Sequence, residues 1–309
     1  MGKTLIMGTA DNAGLVELIG KQLGLKFQPT IRHTFGDGEK YYRIDADLAG
    51  KNVIFVASTN SDENLLELYR LGCALAGYGV KSIIFSIPFF GYSTMERAAK
   101  KGEVVTAKTS TRMLSSIPHI GTSNIFLMMD LHVSTILHYF EGNCLRMELS
   151  AMPVLIKAVE VLNLENLVIA SADLGSDKRV QKFAKALQVK EMAFAVKSRD
   201  MEKTRIESII GDVKDKTVVI YDDMTRSGST LIQAAEAYLE KGAKEIYAVL
   251  SHLALNNQPV VKTLIASPIK KILSTNTHPM SQNELVQNSD KFVIEDVSQI
   301  FSESIKRLL

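Results

Sequence analysis

Residues 217 to 231 read Thr-Val-Val-Ile-Tyr-Asp-Asp-Met-Thr-Arg-Ser-Gly-Ser-Thr-Leu. The β-branched, apolar and aromatic run Thr217 to Tyr221 predicts a buried parallel strand, and the spacing of Leu231, Ala235 and Leu239 predicts a helix. Thr225, Arg226, Ser227, Gly228, Ser229 and Thr230 are then the turn between them. Such a turn aims successive backbone N–H groups and the positive end of the helix dipole at one place, where a phosphate monoester fits, and Gly228 lets the backbone come close. Asp222 and Asp223, at the carboxyl end of the strand, are expected to face outward and accept from two sugar hydroxyls. That combination is a phosphosugar-binding device, although an ordinary βα turn with a solvated acid pair has the same composition.

Other stretches carry related chemistry. Ser171-Ala172-Asp173-Leu174-Gly175-Ser176-Asp177-Lys178-Arg179 also follows a predicted strand and precedes a helix. Its acid at the start, its turn residues Gly175 and Ser176 and the two cations after them suit a diphosphate and a metal. Helix capping by Ser176 or Asp177 explains the polar residues but not their recurrence after two successive strands. Mg²⁺ prefers oxygen ligands, so Asp173 is the metal candidate on chemistry alone. His132, in Met129-Asp130-Leu131-His132, ends another predicted strand; a lone histidine is by itself more often a packing or surface group. Lys197-Ser198-Arg199 opens a charged run to Arg205 without an apolar face, which by itself predicts a solvated loop. Phe35-Gly36-Asp37-Gly38-Glu39 is a turn-rich loop with an exposed aromatic. No Walker A motif competes for a nucleotide: Gly14 to Gln22 has one residue too many and Gln22 where a hydroxyl is needed.

Together these stretches resemble the ribose-phosphate pyrophosphokinases, the enzymes that make phosphoribosyl diphosphate (PRPP). Residues 217 to 231 resemble the PRPP loop of type I phosphoribosyltransferases in the version that family carries, and Ser171 to Arg179 resemble its pyrophosphate loop. Asp130-Leu131-His132, Phe35 to Glu39 and Lys197-Ser198-Arg199 are similar to its Asp-Leu-His, Phe-x-Asp/Asn-Gly-Glu and Lys-x-Arg. The likeness continues through Asn64 to Leu68, Ile87 to Tyr92 and Gly211 to Lys214. It implies Mg²⁺-dependent transfer of the β,γ-diphosphoryl group of ATP to O1 of ribose 5-phosphate, giving PRPP and AMP. His132 and Asp173 would hold the metal, and the Asp173 loop with Lys178 the diphosphate. Phe35 would stack on adenine while Asp37 and Glu39 contact the base, from a loop that reaches a neighbouring subunit, so a homo-oligomer with its active site near a subunit interface is implied. Lys197 and Arg199 would be the catalytic cations, neutralising charge on the phosphoryl group in flight, before a mobile lid. Two departures stand out. Where the usual family has Arg-Gln-Asp-Arg, with Arg and Gln touching ATP, this chain has Thr94-Met95-Glu96-Arg97 and keeps only the acid and the last Arg. Inside the phosphate loop the usual Asp-Thr-Ala/Gly-Gly-Thr is Arg226-Ser227-Gly228-Ser229-Thr230. Both resemble the divergent, plant-type subgroup. Two alternatives stay open: a phosphoribosyltransferase, which needs no Lys197/Arg199 pair for phosphoryl transfer, and a catalytically silent regulatory homologue.

The elements that must position these residues alternate along the chain. Strands are predicted at Thr4–Met7, Val53–Ser58, Ser82–Ser86, Asn124–Met129, Leu167–Ser171, Ala193–Val196, Thr217–Tyr221 and Glu245–Leu250. Helices fit between them, at Ala13–Leu23, Glu63–Tyr78, Ala107–Ser115 and Lys178–Leu187. This is α/β grammar, with ligands expected at strand carboxyl ends. With the resemblance, it predicts two tandem phosphoribosyltransferase-like domains, each a mainly parallel sheet flanked by helices: 1–150, and 151–291 carrying the PRPP loop. Residues from about 292 to 309, strand-like and then helical, are expected to pack back on the first domain. The 309 residues, 46% of them hydrophobic, suffice for a core in each. Lys plus Arg total 36 against 34 for Asp plus Glu, and a net charge of +2 gives no global electrostatic case for nucleic acid or a membrane surface. Cys73 and Cys144 belong to no pairing pattern, the N-terminus lacks a signal-peptide pattern, and no apolar run approaches the roughly 20 residues of a span. A cytoplasmic enzyme is expected.

Overall fold

Short apolar runs buried on both faces become the inner strands of two sheets, and the amphipathic segments between them become the covering helices. The computed structural model describes residues 4–121, 123–200 and 203–309, and the side chains of these apart from 174, 197–200 and 203–205. The chain divides into two units, Met1–Ser150 with Ser298–Leu309, and Ala151–Val297.

The first unit contains β1 (Thr4–Gly8), α1 (Ala13–Leu23), β2 (Thr30–Thr34), β3 (Lys40–Ile44), β4 (Asn52–Val56), α2 (Asp62–Gly77), β5 (Ser82–Ile87), α3 (Thr106–Ser115), β6 (Asn124–Met129) and β7 (Cys144–Leu149). Its sheet has the order β1-β4-β5-β6-β7, every neighbouring pair parallel. Phe55, Phe85 and Phe126 are fully buried, and the last two stack with centroids 5.0 Å apart. Ser61 caps α2 by accepting from Asn64 N–H, and the helix buries Leu65, Leu68, Leu71 and Leu75 at helical spacing. The β2–β3 hairpin is antiparallel. Arg32 fastens its base: Nε and Nη2 reach Glu67 at 2.8 and 2.7 Å, Nη2 also donates to the Gly8 carbonyl, and Nη1 to the Thr30 carbonyl.

The second unit contains α4 (Met152–Val161), β8 (Leu167–Ser171), α5 (Asp177–Ala186), β9 (Met192–Asp200), β10 (Lys203–Ile210), β11 (Thr217–Met224), α6 (Ser229–Glu240), β12 (Glu245–His252), α7 (Gln258–Ala266), β13 (Ile272–Thr275), α8 (Glu284–Gln287) and β14 (Phe292–Glu295). Its sheet runs β10-β9-β8-β11-β12-β13-β14 and is parallel except where β10 pairs with β9. Val218, Val219 and Ile220 are fully buried in central β11, as expected of a parallel strand covered on both faces. Phe183 of α5 stacks on Tyr221 at 4.0 Å. From α6, fully buried Tyr238 donates its hydroxyl to the Ser171 carbonyl at 2.8 Å, tying the helix after one site turn to the strand before the other.

Two expectations about boundaries change. The charged run after Val196 is not a loop over the residues described: β9 continues to Asp200, and Lys203–Ile210 pairs back on it with a register shift between Ile206 and Ser208. A strand pair at a sheet edge is held by its backbone ladder, which a polar run can join without an apolar face. Residues 292–295 do not return to the first unit; they form β14, paired in parallel with β13. The return begins at Ser298, with the last helix, α9 (Ser298–Lys306), which contacts α1 and buries Phe301 and Ile305. Among the described residues no helix is long and apolar enough to cross a membrane.

Tyr238→Phe removes a buried hydroxyl whose acceptor stays in place, so it should lower unfolding free energy by about 1–3 kcal/mol. Urea unfolding should show a lower midpoint at unchanged slope; an unmoved midpoint would mean that the bond contributes nothing net.

Candidate active site

Strands β8 and β11 are neighbours, so the two polar turns that follow them emerge side by side at one sheet edge. Asp173 begins the first turn; its Oδ1 accepts from Gly175 N–H at 2.9 Å. Ser176, buried, donates from Oγ to Asp222 Oδ1 at 3.0 Å. The same oxygen accepts from Asp223 N–H at 2.9 Å. Arg179, one helical turn past Ser176, places Nη1 2.7 Å from Asp223 Oδ1 and 3.5 Å from Asp222 Oδ1. Consecutive strand residues point to opposite faces, and the two acids differ accordingly. Asp223, expected at the surface, is only 5% exposed and lies against Arg179; Asp222 is the more open of the two. Lys178 is exposed, so of the two cations after the turn it is Arg179 that reaches the acids.

Burial first, and then the neighbouring Asp223 charge, push the Asp222 carboxyl up to about 7. Asp173 adds to the rise, which places its charge within electrostatic reach of the pair.

The second turn is the one expected from the sequence to seat a phosphate. Gly228 is left-handed, at φ 71°, and precedes the first residue of α6, Ser229. A Cβ at Gly228 would approach the Leu264 side chain of α7 to 3.0 Å, so Leu264 would have to give by a few tenths of an ångström; the left-handed backbone is what favours glycine here. Asn256 N–H donates to the Arg226 carbonyl at 3.0 Å, and the Ser227 and Ser229 hydroxyls are 2.8 Å apart. Arg226, Ser227 and Ser229 are exposed, Thr230 is half-buried and Thr225 is buried beneath them. His278, buried near Arg226 and His252, is pushed down to about 3, mainly by burial, and stays neutral; its Nδ1 accepts from Met280 N–H. His252 pairs with Thr277 Oγ1 at 2.7 Å. Both histidines, given no role from the sequence, pack at the carboxyl ends of β12 and β13.

In the first unit, Phe35, Asp37 and Glu39 occupy the tip of the β2–β3 hairpin. Phe35 is 48% exposed, with the His33 and Tyr41 rings edge-on at 4.9 and 6.3 Å. Asp37 Oδ1 accepts from Glu39 N–H, and the Glu39 carbonyl from Phe35 N–H, which rigidifies the tip. Glu96 is largely covered, its carbonyl accepting from the Tyr139 hydroxyl, while Arg97 extends into solvent. His132 follows Asp130, a non-glycine residue at φ 37°, and Leu131 N–H donates to Glu148. Lys197 and Arg199 lie in β9, opposite Ile206 and Thr204; their side chains are outside the described set.

Arg179 is the residue whose position sequence reasoning missed. Its spacing from Ser176 was the available signal, since residues three apart share a helix face.

A carboxyl raised to about 7 is protonated in the folded chain over a range where the unfolded chain, near 4, has lost its proton. Its contribution is therefore greatest below about pH 4, falls as pH rises to about 7 and is flat above. Asp222→Asn should flatten that part of the stability profile. Urea midpoints from pH 5 to 8 that run parallel in the two proteins would show that Asp222 titrates normally.

The chain matches, at residues 4–117, the family described as the N-terminal domain of ribose phosphate pyrophosphokinase and, at residues 198–309, the phosphoribosyl synthetase-associated domain. A ribose-phosphate pyrophosphokinase of Caldanaerobacter subterraneus is 33% identical over 96% of this chain and 92% of its own length. That of Gloeobacter violaceus is 30% identical over 98% and 89%. The crystal structure of phosphoribosylpyrophosphate synthetase from Mycobacterium smegmatis shares the fold, with a TM-score of 0.87 at 22% identity, covering 99% of this chain and 98% of that one. With the acid pair ending β11, a glycine-bearing turn after it, and likeness running almost end to end, this chain belongs to the ribose-phosphate pyrophosphokinase family.

Proposed function

We propose that the protein transfers the diphosphoryl group of ATP to O1 of ribose 5-phosphate, giving PRPP and AMP. The observation that carries this reading is an acid pair at the end of β11 leading, within two residues, into the loop Thr225–Thr230 at the α6 N-terminus, in a chain of this family. The loop's N–H groups, its hydroxyls and the helix dipole suit the 5-phosphate, and Asp222 and Asp223 suit the ribose hydroxyls. O1 bonds to the β-phosphorus, the bond from that phosphorus to the α-bridging oxygen breaks, AMP leaves, and the O1 proton is released. Phe35, Asp37, Glu39, Glu96 and Arg97 are proposed to contact the nucleotide, and Lys197 and Arg199 to stabilise charge on the group in transfer.

Mg²⁺ fits the donor set. Among the described residues no group of three or more His, Cys, Asp or Glu side chains could bind a metal unaided. Mg²⁺ needs no such cage, because it retains waters and takes one or two carboxylates together with substrate phosphates. Asp173, held by Gly175 N–H and close enough to act on Asp222, supplies that chemistry, with His132 as the family-implied second ligand. When bound, the ion neutralises charge on the β- and γ-phosphates. A homo-oligomer and a cytoplasmic location complete the proposal.

Incubation with ATP, Mg²⁺ and ribose 5-phosphate should yield AMP and PRPP in equal amounts. AMP without PRPP, or no turnover, would sink the reading; consumption of added PRPP only with a nucleobase would identify a phosphoribosyltransferase. Within the proposed reaction, Lys197→Ala should lower kcat by about 10²-fold or more with little change in ATP affinity, because its charge is needed mainly in the transition state. Loss of ATP affinity with kcat retained would make Lys197 a ground-state contact.

A further inference from the structure

We propose that Arg179 is a positioning residue for the sugar-binding acids and not a ligand of the nucleotide's diphosphate. The proposal rests on the reading of Asp222 and Asp223 as acceptors for the ribose hydroxyls. Four observations carry it.

First, the guanidinium lies 2.7 Å from Asp223 Oδ1 and 3.5 Å from Asp222 Oδ1, so one cation faces two carboxylates. The summed charge around it is not positive, which makes it a poor seat for a diphosphate. Second, Arg179 stands in the first turn of α5, where the helix dipole disfavours a cation. Its placement there is offset by the acids. Third, Asp223 is 5% exposed and its carboxyl lies against Arg179, the pairing by which an acid is tolerated in so enclosed a place. Fourth, Ser176 Oγ and Asp223 N–H both converge on Asp222 Oδ1, so donors from the turn before α5 and from β11 fix one oxygen of Asp222 while Arg179 lies against Asp223. The first turn of α5 is thus a bracket for the acid pair. Exposed Lys178, next to it, is the cation left for a diphosphate.

Orientation by a partner predicts a substrate-selective loss. In Arg179→Gln, the KM for ribose 5-phosphate and its calorimetric Kd should both rise about tenfold or more, while the KM for ATP stays within about twofold. Arg179→Lys, which keeps the charge but not the planar fork, should recover part of the loss. Because Arg179 acts through Asp223, adding Arg179→Gln to Asp223→Asn should cost less than about twofold beyond Asp223→Asn alone. A rise in the KM for ATP, an equal loss for both substrates, or additive effects in the double variant would overturn the proposal. If Arg179→Gln does not fold, Arg179→Lys carries the same test, and a larger effect on ATP than on ribose 5-phosphate would overturn it equally. Calorimetry needs no turnover, so a wild-type protein that binds ribose 5-phosphate but makes no PRPP would refute the proposed reaction and leave the role of Arg179 to be decided by the same titrations.

Discussion

Two carboxylates on consecutive residues of a buried strand end repel each other, and the second unit is arranged around that repulsion. Adjacent Asp222 and Asp223 in a low-dielectric place favour a shared proton unless a cation and directed donors oppose it. Arg179, Ser176 and the Asp223 amide supply the opposition, and they come from two segments that only a β8–β11 pairing brings together. The result is asymmetric. Asp223 is enclosed with Arg179, while Asp222 remains more open and is pushed up to about 7. A site of this kind meets its ligand with one acceptor already ordered and the other poised near neutrality.

The packing behind the pair has the same purpose. Phe183 stacks on Tyr221, immediately before Asp222, and the buried face of α5 places its first turn over the end of β11. Tyr238 joins α6 to the last residue of β8. Core contacts of this sort fix helix starts relative to strand ends, and helix starts carry the polar groups.

Much of this was legible in the sequence because parallel strands read as unbroken apolar runs. Val53–Ser58, Ser82–Ser86 and Thr217–Tyr221 announce themselves, and they fall on β4, β5 and β11 with ends differing by up to three residues. Strands with polar or exposed faces did not. Thr30–Thr34 and Lys40–Ile44 carry Ile31, His33 and Tyr41 exposed, and Cys144–Leu149 is an edge strand with Leu145 exposed, so none showed a strong apolar signal. The turn between β11 and α6 was legible from composition, since hydroxyls and a glycine between an apolar run and a helical pattern mark a strand-to-helix turn. The burial of Asp223 was not, because a pair of acids gives no sign of which one a distant arginine will enclose. Arg179 is 43 to 44 residues away from its partners, a separation fixed only by the sheet order.

Mounting the acids and the phosphate turn on one strand has a consequence for selectivity. Asp223 and Thr225 are separated by Met224 alone, so the spacing between the backbone of the acids and that of the turn is set by the strand end. Leu264 against Gly228, and Asn256 N–H on the Arg226 carbonyl, hold the far side of the turn to α7 and the segment before it. A sugar phosphate whose hydroxyls lie at another distance from its phosphate would leave either the acids or the loop amides unpaired, and unpaired buried polar groups discriminate more strongly than lost contacts. Arg226 adds a cation at the rim of that seat, beside a histidine that burial keeps neutral. In the proposed reaction its charge would reinforce affinity for the phosphate, while the geometry of β11 would set which phosphosugar fits.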